Sequence, residues 1–255
     1  MNPSLATSPL DAVRVDAAAD PLLHALGQVQ AIERVGRVSE AYGTLIKATG
    51  LRAAIGELCH LRNPGETGPD RFELAAEVVG VARQHTLLTP LGPLDGIAAT
   101  TEVYATGKQA SVAVGDGVLG RILDAHGAPI DNRGPLGQTV DAPIYAASPN
   151  PLERTLIERP FATGVRAIDT VMTAGEGQRI GIFAVAGGGK STLLGMLARG
   201  GDADVNVIVL VGERGREVNE FIHDNLGAAG LAKSVIVVAT SDRPALERSR
   251  AAWVG

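Results

Sequence analysis

The chain has 255 residues, room for one or two domains of ~100–200 residues each. Hydrophobic residues make up 45% and charged residues 20%, the balance of a soluble globular protein. A formal net charge of −5 supplies no positive field that would recruit nucleic acid or acidic lipid non-specifically.

Residues 1–25 are rich in Ala, Pro and Asp and are expected to be partly disordered or to hold one short helix. They lack a basic start followed by an apolar stretch, so no secretory signal is expected. No run approaches the ~20 apolar residues of a membrane span. The single cysteine, Cys59, has no partner for an internal disulfide. A reducing, cytoplasmic setting is therefore expected. Without a CxxC pattern, Cys59 is expected to be a small buried residue rather than a reactive thiol.

From 26 to 105 short β-type runs alternate with turn residues, as in "FELAAEVVGVARQHTLLTPL" and "TTEVYATG". Gly and Pro at short intervals predict a small antiparallel barrel or sandwich. Residues 106–160, rich in Gly, Pro, Asp and Asn, are expected to be a linker with brief ordered pieces. After Pro160 three near-continuous apolar runs, "QRIGIFAVA", "VNVIVLVG" and "KSVIVVATS", have the pattern of strands buried on both faces of a parallel sheet. Between the last two, Val218, Phe221, Ile222 and Leu226 recur at near-helical spacing, with Gly227 where a helix C-cap belongs. Strand and helix alternate, so 161–255 is expected to be an α/β domain.

The first apolar run enters "AVAGGGKST". Consecutive glycines at a strand-to-helix junction let successive N–H groups form a concave anion nest, and the helix that follows adds its own free N–H groups. Ala186, Gly187, Gly188 and Gly189 would cradle phosphates, with Lys190 on the β/γ-phosphates, Ser191 on Mg²⁺ and Thr192 beside it. The first position of the G-x-x-x-x-G-K-[ST] pattern is Ala184 rather than glycine. The plain alternative, a glycine-rich surface turn with a solvated lysine, does not explain the flanking strand and helix.

The second run delivers Glu213 to the C-terminal end of its strand, the edge at which open α/β sheets bind ligands. A carboxylate there can orient the water that attacks a γ-phosphate. Arg214 and Arg216 are placed to meet the developing charge, and Glu217 to hold Mg²⁺ through water. The competing view is a solvated loop whose four charges pair with one another. It is weakened because Lys190 and Glu213 lie about one helix and one strand apart, so both can face one phosphate.

The stretches "RPFATGVRAIDTVMTAGEGQRIGIFAVAGGGKSTLLGMLARG", "VIVLVGERGREVNEFI" and "ATSDRPALERSRAA" resemble the catalytic subunits of type III secretion ATPases, relatives of the rotary ATP synthase β subunit. "LIKATGLRAAIGELCHLRNPGE" is similar to the barrel of that family, and its wording is nearer the injectisome type than the flagellar type. The resemblance implies an α/β P-loop (RecA-like) ATPase domain, incomplete, preceded by a small antiparallel β-barrel. It implies ATP and Mg²⁺ as ligands, with Lys190, Glu213 and Arg214 in catalysis and Ser191 and Glu217 at the metal. It further implies a hexameric ring peripheral to the membrane at the cytoplasmic base of a secretion apparatus. The partners it implies are stator and stalk proteins, export chaperones and cargo. Members of the family continue beyond the "ERSRAAWVG" end, so this chain alone is expected to be inactive. The alternatives are a flagellar export ATPase or a truncated nucleotide-binding module without catalysis.

Overall fold

The computed structural model describes residues 34–68, 71–185 and 187–255. The expectation for residues 1–25 lies outside them, as does Ala186 of the glycine loop. The chain divides into two compact units. The first ends in the barrel strands up to Gly107, and the second comprises residues 91–93 and 108–255.

In the first unit β1 (Arg34–Tyr42), β2 (Leu45–Thr49), β3 (Glu57–Arg62), β4 (Glu73–Val81), β5 (Thr86–Pro90) and β6 (Glu102–Gln109) close a barrel in the order β1-β2-β5-β4-β3-β6. Alternation makes the inside. In β3, Glu57, Cys59 and Leu61 point inward while Leu58, His60 and Arg62 are half-buried on the other face. Ile46, Leu61, Val78, Leu88 and Val103 fill the interior with almost no exposed surface. The buried Glu57 carboxylate is satisfied, accepting the Gly107 N–H at 2.7 Å and the Ala54 N–H at 2.9 Å. Register shifts at Val38/Glu40 and Val78/Gly80 bend β1 and β4 as closure requires. Gly36 is obligatory, because a Cβ there would lie 2.7 Å from that of Leu51.

The second unit is built on a parallel sheet, β12 (Asn206–Val211), β13 (Ser234–Ala239) and β8 (Ile122–Asp124), in the order β12-β13-β8. β13 is buried along its whole length, as a continuous apolar run implies. The stretch 106–160 supplies β8 to this sheet, together with the pair β7 (Ser111–Val114) and β9 (Val140–Pro143). A shorter pair, β10 (Pro160–Phe161) with β11 (Ala174–Gly175), brackets α1 (Arg166–Val171).

One sheet face is covered by α2 (Lys190–Gly200), α3 (Gly215–Glu220), a π-helical turn (Phe221–Leu226) and α4 (Gly227–Ala232). There Ala198, Ile208, Leu210, Phe221, Leu226, Ile236 and Val238 make one core. The alternate residues Val237 and Ala239 face α5 (Ala245–Val254) through Ala251.

Two expectations are corrected. The run 179–185 forms no strand: Phe183 is 94% exposed and Val185 81%. Its composition suits a buried strand, but among the described residues no strand lies beside it to supply a ladder, and a strand exists only through its pairing. Gly227 (φ +66) does close the helical turn before it, yet the chain resumes as α4 instead of leaving the helix.

Candidate functional site: a phosphate-binding loop facing two glutamates

Gly187 (φ +75) and Gly189 (φ +81) take left-handed backbone conformations, open to glycine at little cost. Gly188 between them is confined, because a Cβ would lie 2.7 Å from that of Ala184. Its N–H donates to the Val185 carbonyl at 3.0 Å, which closes the loop. Gly189 is the N-cap of α2 and offers no side-chain acceptor, so the first N–H groups of the helix remain free for an external acceptor. Lys190 and Ser191 open α2, and the Lys190 ammonium donates to the Ala184 carbonyl at 3.3 Å, across the mouth of the loop.

The helix is held from behind. The Asn206 amide donates to the Ala198 carbonyl at 2.9 Å, tying the C-terminal turn of α2 to β12. Asp169 accepts the Thr163 hydroxyl at 2.6 Å and the Thr163 and Gly164 N–H groups at 2.8 and 3.1 Å. That turn sets Gly164 against Gly200 at the end of α2, where a Cβ on Gly164 would lie 2.5 Å from the Gly200 carbonyl oxygen.

A cavity of about 400 Å³ brings Lys190 and Ser191 together with Glu213 and Glu217, between apolar walls that include Ile180, Ile182, Leu210 and Phe221. Glu213 leaves the end of β12 through Gly212 (φ +75), and Glu217 stands one turn on, in α3. Partial desolvation, then the neighbouring Glu217 carboxyl, raise the Glu213 carboxyl above its usual range, while Lys190 opposes the rise. Glu217 is held below its usual range by its Glu213 neighbour and by Arg214.

Thr192 and Arg214 do not line the cavity. Arg214 is exposed and its guanidinium donates to Glu217 at 3.2 Å, so it neutralises a carboxylate rather than reaching inward. Arg216 is exposed on α3. Sequence reasoning missed the apolar walls: Leu210 and Phe221 carry the ordinary strand and helix periodicity, and only the fold turns them toward the loop.

Two family models match the chain. Residues 38–107 match the ATP synthase alpha/beta family, beta-barrel domain, and residues 164–255 match the ATP synthase alpha/beta family, nucleotide-binding domain. A type 3 secretion system ATPase of Xanthomonas euvesicatoria is 53% identical over 87% of this chain and 49% of its own length. A flagellum-specific ATP synthase of Bacillus subtilis (strain 168) is 44% identical over 91% of the chain and 52% of its own. The solved structure of the assembled ATPase EscN from the enteropathogenic E. coli type III secretion system superposes with a TM-score of 0.73 at 42% identity, covering 86% of this chain and 51% of that one. EscN has also been solved with its central stalk EscO, at a TM-score of 0.75. The chain spans about half the length of the curated relatives it matches.

Proposed function

This chain belongs to the ATP synthase alpha/beta family, and from that premise we propose that it is part of an ATP-hydrolysing motor subunit that energises protein export through a type III secretion apparatus. The observation that carries the reading is one cavity joining Lys190 and Ser191 of the glycine loop to Glu213 and Glu217. A type 3 secretion system relative at 53% identity favours that branch over the flagellar one, whose relatives reach 45%.

In this reading the N–H groups of Gly187, Gly189 and the first turn of α2 bind the phosphates, while the Gly188 N–H stays on the Val185 carbonyl and keeps the loop closed. Lys190 turns from the Ala184 carbonyl to the γ-phosphate. The Glu213 carboxylate orients the attacking water, and Arg214 moves from Glu217 toward the charge that develops on the transferred group. Positioning and charge stabilisation supply most of the rate in such reactions. The Ser191 hydroxyl and the Glu217 carboxylate are oxygen donors on one cavity, which fits Mg²⁺, an ion that takes one or two protein oxygens together with phosphate and water. When bound, the ion neutralises phosphate charge. Thr192 contributes its backbone N–H from the first turn of α2. The setting is the cytoplasmic entrance of the apparatus, in a hexameric ring on a stalk, working on chaperone-bound cargo. Among the described residues no helix is long and apolar enough to cross a membrane.

Glu213→Gln in the full-length protein tests the role of the carboxylate. The expected outcome is Mg·ATP affinity within about threefold of wild type and turnover lower by about 10²-fold or more. A fall of less than tenfold would make Glu213 an ion-pairing residue and leave a nucleotide-binding module as the better account.

A further inference from the structure

The β12–β13 ladder ends at Val211 and Ala239, yet the two chains stay joined beyond it. The Gly212 N–H donates to the Ala239 carbonyl at 2.7 Å. Past the left-handed kink at Gly212, the Ser241 N–H donates to the Glu213 carbonyl at 2.9 Å. A residue that follows a left-handed glycine has no ladder to fix its peptide plane. An anchor on its carbonyl fixes that plane, and with it the direction in which the side chain leaves the backbone.

The anchor comes from a short, exposed turn with no buried residue to shape it. Its shape is local. The Arg243 N–H donates to the Thr240 carbonyl at 3.0 Å. The Thr240 hydroxyl beside the Asp242 carboxyl holds it below its usual range. Pro244 then leads directly into α5, so the turn is mounted on a ten-residue helix.

We propose that the Thr240–Arg243 turn is a positioning element for Glu213, acting through the Ser241 N–H and kept in shape by Asp242. The consequence for rate rests on the reading of Glu213 as the water-orienting carboxylate; the structural part does not.

Hydrogen exchange at the Ser241 amide tests the structural part in the chain itself. The amide is expected to exchange at least about tenfold slower than in an unstructured peptide, and Asp242→Ala to remove most of that protection. An unprotected Ser241 amide in the wild-type protein overturns the proposal. In the full-length protein, Ser241→Pro and Asp242→Ala are expected to lower kcat by about tenfold or more, with the KM for ATP within about threefold. Ser241→Ala, which keeps the N–H, is expected to lose much less than Ser241→Pro. On a Glu213→Gln background neither Ser241→Pro nor Asp242→Ala should cost further turnover. Equal losses on both backgrounds would mark a merely structural turn and overturn the proposal, as would unchanged kcat. Asp242→Ala keeps every backbone donor, so it decides the matter even if Ser241→Pro fails to fold. If Glu213→Gln itself retains turnover, the functional reading fails, while the amide-exchange result still judges the anchor.

Discussion

Lys190 and Glu213 are far apart in the chain and share one cavity, and each is where it is because a left-handed glycine precedes it: Gly189 before α2 and Gly212 after β12. The residue types were legible in the sequence because phosphate chemistry demands a particular set, namely bare N–H groups, an ammonium, a hydroxyl and a carboxylate. Cys59 illustrates the opposite case, a reactive group made inert by its place. It is fully buried in the barrel, and desolvation pushes its thiol up to about 12. Only the thiolate is nucleophilic. The native protein at pH 8 is therefore expected to leave Cys59 unmodified by iodoacetamide, with labelling appearing on denaturation; rapid labelling of the folded protein would contradict the packing. The Ser241 anchor was illegible for a plain reason. A backbone N–H is carried by every residue except proline, so no side-chain pattern announces which one is used.

At the scale of elements, the helix after Glu213 was legible as a helix but not as three segments. Val218, Phe221, Ile222 and Leu226 are spaced to face one side of either an α-helix or an α-helix widened by a π turn, and all four are buried against the sheet. The widening brings Asn225 onto α2 at Gly195, where a Cβ would lie 2.6 Å from the Asn225 carbonyl oxygen and 2.9 Å from its Cβ. In an unencumbered helix Gly→Ala stabilises by about 1 kcal/mol. Here the clash is with backbone, so Gly195→Ala is expected to destabilise by about 1–3 kcal/mol. Chemical denaturation followed by circular dichroism measures it, and a gain in stability would mean that α2 and the π turn are not in close contact. The run 179–185 shows the limit of composition. "GIFAV" names a strand by its side chains, but pairing depends on a neighbour that the run itself does not specify.

At the scale of the whole molecule, the barrel and the sheet unit were each legible from a different period: alternation in the first, continuous apolar runs in the second. The contribution of β8 to the sheet was not, because its three residues sit within Gly- and Pro-rich sequence. What holds that region is an ion pair. Asp131 accepts from the Arg121 guanidinium at 2.7 and 2.9 Å and from the Ile122 N–H at 3.2 Å, and Arg121 also donates to the carbonyls of Gly134 and Pro135. The Arg121 partner holds the Asp131 carboxyl well below the usual carboxylate range. A depressed folded pKa means that the pair's stabilisation is fully present above the unfolded value of about 3.9 and is lost as pH falls below it toward the folded value. The second unit is thus expected to lose stability on acidification below about pH 4. Asp131→Asn should lower Tm at pH 7 by at least about 5 °C and flatten that acid dependence. An unchanged Tm, or a wild-type acid dependence in the variant, would remove Asp131 from the account.

The central claim is that the glycine loop and Lys190 bind the phosphates of a nucleotide. The most direct measurement is a calorimetric titration of Mg·ATP into the protein and into Lys190→Ala, with circular dichroism to verify that both are folded. The account predicts saturable one-site binding to the wild type and an affinity lower by at least about tenfold in Lys190→Ala. Equal affinity in two folded proteins, or no binding to a folded wild type, would contradict it.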